Sequence, residues 1–307
     1  MPARSNLRIL VSGASGFIGT ELVRQLQADG HTVLRLVRSK PRSDSEVHWS
    51  PSTGELDPTV LGTVDAVINL SGASTGRIPW TRSYRKEILD SRVDSTRALA
   101  TAISAAIHPP TVFLSGSAIG YYGDRPGESL TEQSPKGTGF FPDVVAAWEA
   151  AALAVPKETR VVTFRTGVVV GRGGAFTPLI PLTRAGFGSR FGNGRQAWSW
   201  ISLHDEAAAI RHLLTSRLTG PVNLTAPTSA TADEVTSALA KRMNRPYAFR
   251  IPAWIITTFL GDAGRDLLLT NEDVLPERLL ADGFEFKHRT LESAIGAMFV
   301  RSGSRGA

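Results

Sequence analysis

Short apolar runs recur along the first half of the chain, at Leu7–Val11, His31–Arg38, Val64–Leu70, Thr111–Leu114 and Arg160–Phe164. Between them, Thr20–Ala28, Tyr84–Ala106 and Phe141–Ala154 repeat apolar residues at helical spacing. Apolar runs of strand length bounded by turn residues read as buried strands. Strands alternating with helices in this way predict an α/β fold with a parallel, doubly wound sheet. The texture changes after Gly171. Gly171–Gly174 and Gly186–Gly194 read as loops, Trp198–Leu203 as an alternating strand and Pro221–Leu224 as a short strand. Asp205 is expected to cap a helix over 206–216, and Thr231 with Glu234 to form a capping box for a helix over 232–243. Helical stretches follow at Ala253–Phe259, Glu277–Ala281 and Leu291–Phe299. The expected organisation is a sheet domain over 1–170, with returning segments from 197–225. A smaller α/β substrate-binding region over 171–300 and a disordered tail over 301–307 complete it.

The first strand breaks into Gly13-Ala-Ser-Gly-Phe-Ile-Gly19 and runs straight into the first helix. Strand, glycine-rich turn and helix together form the dinucleotide-binding signature of a Rossmann-type sheet. Gly13 permits the tight turn, Gly16 lets backbone approach a pyrophosphate, and Gly19 lets the helix lie close to the strand. The free N–H groups and dipole at the helix start then hold phosphate. The second strand ends without a carboxylate, and Arg35, Arg38, Lys40 and Arg42 surround its end. An acidic residue there binds a ribose 2′-hydroxyl, whereas an arginine accommodates a 2′-phosphate. The expected cofactor is therefore NADP(H), with Arg38 clamping the phosphate.

Composition narrows the alternatives. The chain has 307 residues, 42% of them hydrophobic and 20% charged, as in an ordinary globular protein. With no cysteines, disulfides, thiol catalysis and cysteine-ligated metals are excluded; no metal site is assigned. No apolar run reaches membrane-spanning length. The opening Met-Pro-Ala-Arg-Ser-Asn leads straight into the first strand, so no signal peptide is expected and a cytoplasmic location is. The 34 basic and 28 acidic residues leave a charge of +6, but the arginines are scattered, with no basic run interleaved with aromatics. Nucleic acid is therefore not an expected partner. Arginines at 172, 184, 190 and 195 suit an anionic small-molecule substrate, and the C-terminal helices offer a surface for a homodimer.

The turn Gly13–Gly19, the strand end Asn69–Gly72, the Ser115–Gly123 stretch and Trp200–Asp205 occur in an order that resembles an extended short-chain dehydrogenase/reductase. Ser117-Ala-Ile-Gly-Tyr-Tyr-Gly123, Trp148-Glu149, Arg165-Thr-Gly-Val168 and Gly192-Asn-Gly-Arg-Gln196 resemble its epimerase-like branch, related to nucleotide-sugar epimerases. That branch carries a C-terminal domain of uncharacterised function, which residues 246–299 resemble. The cofactor site expected on this basis comprises Gly13, Ser15, Gly16, Phe17, Ile18, Gly19, Arg38, Leu70, Gly72, Ser115 and Thr166.

The resemblance also implies a Tyr-x-x-x-Lys pair for proton transfer. Counting back from Glu149, its positions fall on Phe141 and Val145, and no such pair occurs in the chain. Arg92 stands where an asparagine is usual, while Ser117 matches the catalytic serine. Two readings follow. In one, an NADPH-dependent oxidoreductase or epimerase uses Ser117 to hydrogen-bond substrate and Tyr121 or Tyr122 as proton donor. Arg92 then lowers the donor's pKa or binds an anion. In the other, the chain is a catalytically weak NADP(H)-binding regulatory or interaction protein.

Overall fold

The structure, a computed structural model, describes residues 6–300; the tail expected to be disordered lies outside them. Seven strands form one parallel sheet: β1 (Arg8–Ser12), β2 (Thr32–Val37), β3 (Glu46–His48), β4 (Ala66–Asn69), β5 (Val112–Ala118), β6 (Arg160–Thr166) and β7 (Gly220–Leu224). Their order across the sheet is β7-β6-β5-β4-β1-β2-β3. The order reverses at β1, so the ends of β1 and β4 open a crevice at the carboxyl edge. The doubly wound α/β fold read from the sequence is the fold observed.

Helices α1 (Phe17–Ala28) and α5 (Leu203–Leu213) cover one face, and α2 (Arg82–Ala105) and α3 (Phe140–Ala152) the other; α4 (Phe176–Arg184), α6 (Ala232–Arg242) and α7 (Ala253–Gly264) follow outside the sheet. Strand alternation sorts the core. Ile9, Val11, Ile68, Leu114 and Phe164 pack with Leu22 and Leu26 of α1 and Ile210 of α5. Leu10, Val67 and Phe113 face the other way, onto Leu99 and Ile103 of α2. Strands buried on both faces need no polar alternation, which explains their continuous apolar runs.

The ends of several elements differ from the sequence reading. Helix α1 begins at Phe17, three residues before the periodic stretch. Strand β5 continues through Ser115–Ala118 because its ladder with β6 continues to Thr166, although these residues are small and polar. Trp198–Leu203 is not one strand. Ala197–Trp198 pairs antiparallel with Ala230–Thr231, and Trp200–Ser202 pairs parallel with Val168–Val170. Between them the Ser199 hydroxyl donates to Glu272 O at 2.7 Å and accepts from Val274 N at 2.7 Å. The Thr231–Glu234 capping box forms as expected.

After β6 the chain builds a second core around Phe176, Trp198, Trp200, Val235, Leu239, Ile256 and Ile295. It then returns to the sheet. β7 pairs with β6, and Leu279, Phe284 and Phe286 pack into the α1 side of the main core. No helix among the described residues is long and apolar enough to cross a membrane.

Asp205 holds the later return, and its expected role needs correction. Ser202, not Asp205, caps α5, its hydroxyl accepting from Asp205 N at 3.0 Å. The Asp205 carboxylate, 1% exposed, accepts instead from Lys287 N, His288 N and the Ser202 hydroxyl, all within 2.9 Å. Buried donors stripped of their partner are costly. Asp205→Ala is expected to destabilise the protein by roughly 2–4 kcal/mol, read as a lower urea midpoint at unchanged denaturant slope.

Candidate functional site

The glycine turn joins β1 to α1 at the crevice. Gly13 has φ +68°, and a Cβ there would lie 2.6 Å from Leu70 O. A Cβ on Gly19 would lie 2.2 Å from Gly13 O, so the helix packs directly on the turn. Gly16 N donates to Gly13 O at 2.9 Å, closing it. Gly16 precedes α1 without a side-chain cap, so the first-turn amides lack the usual internal acceptor. Ser15 and Gly16 are exposed beside them. A cradle that excludes side chains, next to uncapped amides, fits a dinucleotide pyrophosphate.

Below the turn, Ser12 donates to Asn69 Oδ1 at 2.6 Å, and Asn69 Nδ2 donates to Thr96 of α2 at 2.8 Å. This fully buried bridge fixes the ends of β1 and β4. Arg38 follows the end of β2, exposed and without an ion pair among the described residues. Leu70 and Gly72 reach the surface, whereas Ser115 is 0% exposed and, contrary to expectation, presents nothing to a ligand. Thr166 donates its hydroxyl to Glu206 at 2.7 Å.

The hydroxyls expected to move protons are committed elsewhere. Arg165 at the end of β6 grips Glu149 of α3 with two hydrogen bonds of 2.7 and 2.8 Å. Its third nitrogen donates to the Tyr122 hydroxyl at 2.9 Å, which donates to Asn223 Oδ1 at 2.7 Å. Ser117, 4% exposed, donates its one proton to Glu149 at 2.6 Å. Ser117 therefore has no proton left for a substrate oxygen. Tyr122 is fully buried, and burial pushes its phenol up to about 12 against the pull of Arg165. With its one proton given to Asn223 and its hydroxyl buried, Tyr122 has none to offer a substrate. Tyr121 is half-buried, its ring 3.5 Å from the Arg165 guanidinium carbon.

Arg165, not Arg92, is thus the cation at the tyrosine pair. Arg92 lies against Trp148, 5.2 Å from its ring, and donates to Ala73 O and Ile88 O. Burial lowers its pKa to about 10. The tyrosine position of the resemblance is filled by Phe141, which stacks on Trp80 and leaves no room for a Cβ on Gly120. Arg190, one of the arginines considered for an anionic substrate, is engaged by Asp233.

Two cavities flank this region. One of about 1040 Å³ runs from Ser15, Gly16 and Phe17 to Arg172, His204 and His288. The other, about 360 Å³, is lined by Gly120, Phe141, Arg85, Asp262, Asp266 and Glu272 among others. Neither is lined by Ser117, Tyr121 or Tyr122. The sequence reading missed four carboxyls that burial holds toward their neutral forms, Glu132 among them. Burial pushes Glu206 up to about 8. Burial and Asp262 push Asp266 up to about 6, and burial with Asp266 and Asp124 pushes Glu272 up to about 8. Glu206 sits in a helix of good amphipathic pattern, but nothing in the sequence marks Asp266 or Glu272.

A reversed-order parallel sheet with this turn at its switch point defines a dinucleotide-binding α/β protein. The chain belongs to the NAD dependent epimerase/dehydratase family, whose model matches residues 9–224; residues 251–298 match a domain of unknown function, DUF1731. It is 37% identical over 302 residues to the epimerase family protein Mb2239 of Mycobacterium bovis, covering 97% of this chain and 100% of that one. Human epimerase family protein SDR39U1 is 34% identical over 294 residues, covering 94% and 98%. Its crystal structure with NADPH superposes at a TM-score of 0.88, with 32% identity, over 95% of this chain and 99% of that one.

Two outcomes test the electrostatics. Arg165→Met leaves the Glu149 charge without its ion-pair partner in the interior, and a loss of about 3–5 kcal/mol is expected in urea unfolding. Glu206 binds its proton in the folded state up to about pH 8, while the unfolded chain releases it near 4.5. Its contribution to stability is therefore full below that lower value and is lost as pH rises through about 8. Stability curves of wild type and Glu206→Gln are expected to diverge across this interval, the wild type falling more steeply.

Proposed function

We propose that this protein binds NADP(H) at the Gly13–Gly19 turn and is an NADP(H)-dependent oxidoreductase or epimerase acting on a small molecule. The observation that carries the reading is the uncapped glycine cradle after β1, with Arg38 exposed past the end of the neighbouring β2 and in no ion pair among the described residues. The amides of Ser15 to Ile18 would receive the pyrophosphate, and Arg38 the 2′-phosphate. Leu70, Gly72 and the backbone past Thr166 would border the remainder. The NADPH bound by the human relative supports this choice of cofactor. Once bound, the nicotinamide supplies or accepts a hydride. The chain's own part is to orient it and to supply a proton-transfer group other than Tyr-x-x-x-Lys.

A second reading, an NADP(H)-binding regulatory or interaction protein, is favoured by one specific observation: Phe141 and Val145 at the positions of the usual pair. Fluorescence titration is expected to show tighter binding of NADPH than NADH. Arg38→Ala is expected to weaken NADPH roughly tenfold, the loss of a charge-assisted phosphate contact, while leaving NADH unchanged. An unaltered NADPH affinity removes Arg38 from the site. Oxidation of NADPH across a panel of carbonyl compounds and nucleotide sugars supports the enzyme. Intact binding without turnover supports the regulatory reading.

A further inference from the structure

We infer that Glu272, contributed by the C-terminal region, is the acid/base group of the cavity beside Phe141 and Gly120, exchanging a proton with an oxygen of an uncharged carbonyl or hydroxyl substrate. The inference rests on the oxidoreductase reading and supplies the proton-transfer group that reading lacks.

The cavity lies where open α/β sheets bind ligands, past the carboxyl end of β5 and against the start of α3. Its volume, about 360 Å³, suits a small ligand. The backbone of Gly120, Gly123 and Gly139 and the rings of Phe140 and Phe141 form one side. Residues 262–272 form the other, bringing Asp262, Arg265, Asp266 and Glu272.

The charged groups in this lining are not equivalent. Asp262 pairs with both Arg85 and Arg265, so the two cations are already engaged. The Asp124 carboxylate accepts from Asn271 N at 2.8 Å. The side chains of Asp266 and Glu272 make no hydrogen bond or ion pair among the described residues. Above about pH 6 the unpaired Asp266 is ionised and repels an anion, while Glu272 keeps its proton and can donate it to the oxygen of a neutral molecule. That differs from the anionic substrate suggested by the scattered arginines.

Glu272 is also held firmly. Its N–H donates to Ala197 O at 3.1 Å and its carbonyl accepts from Ser199 at 2.7 Å, fixing its backbone to the second core. Its carboxyl, carried on this fixed backbone, is pushed up to about 8 by burial and by the charges of Asp266 and Asp124. It can therefore donate near neutrality, where an ordinary glutamate cannot. In carbonyl reduction the Glu272 O–H bond breaks and an O–H bond forms on the substrate, whose carbon takes the hydride supplied by the reduced nicotinamide. Water then reprotonates the carboxylate; the oxidative direction reverses each transfer.

The test uses full-length protein with NADPH bound. In protein labelled with ¹³C at glutamate carboxyls, Glu272→Gln identifies one resonance. That resonance is expected to titrate near pH 8; a midpoint in the ordinary carboxylate range overturns the proposal. In parallel, single-turnover oxidation of bound NADPH is followed with phenanthrenequinone as probe. Wild type is expected to slow as pH rises above 8. Glu272→Gln should be slower by about a hundredfold or more and lose that pH limb, with NADPH affinity unchanged. Glu272→Asp should recover part of the rate with the limb restored. Undiminished turnover in Glu272→Gln overturns this assignment and leaves the oxidoreductase reading standing. Absence of wild-type turnover across the whole carbonyl panel overturns both.

Discussion

The buried ion pair between Arg165 and Glu149 is the interaction around which the carboxyl edge of the sheet is built. Arg165 is 3% exposed and Glu149 13%, so neither charge is well solvated. Each is tolerable only because the other is present and because the remaining donors and acceptors are filled. The planar guanidinium meets Glu149 along one edge and Tyr122 along another, while its face covers Tyr121. Ser117 then turns its proton to Glu149 because an ionised carboxylate is the strongest acceptor within reach. Through these few bonds β5, β6, β7 and α3 are locked in register at the edge where a ligand would lie. Groups so thoroughly satisfied make a rigid wall and poor proton donors.

Rigidity on that wall gives weight to the segment opposite. The C-terminal region is not a separate body appended to the sheet. Asp205 ties Lys287 and His288 to α5, Ser199 staples Glu272 and Val274, and Phe284 and Phe286 enter the main core. Residues near Glu272 are consequently positioned by the second core, which is itself tied to the sheet. Their distance in sequence from β5 and α3 does not loosen their placement in the cavity those elements border.

Much of this was legible in the sequence, and the limits have physical causes. The fold was readable because doubly buried strands must be apolar, and Gly13 and Gly19 because a Cβ at either would collide with backbone. The Thr231 capping box was readable because both partners lie within one turn. The start of α1 escapes the periodic pattern because Phe17 packs against Gly171–Gly174 rather than following the helix's own periodicity. Ser117 was recognised by its neighbours, but its role depends on Glu149 and Arg165, which lie far along the chain. Asp205 looked like a local cap because its real partners are more than eighty residues away. Glu272 carried no signal at all: a lone glutamate in a loop acquires its character only from enclosure by other segments.

The nucleotide turn and a proton-transfer group obey different constraints. The turn's requirements are backbone requirements, satisfied within a few residues and broken by almost any side chain at Gly13 or Gly19. A proton-transfer group needs only a suitable pKa and a position near the substrate, and any element bordering the cavity can supply it. Phe141 converts the usual position of that group into part of an aromatic wall with Trp80. Loss of the phenol there removes a donor from one side of a cavity and at the same time makes that side drier. Burial likewise raises the pKa of the carboxyls lining the same cavity, Asp266 and Glu272.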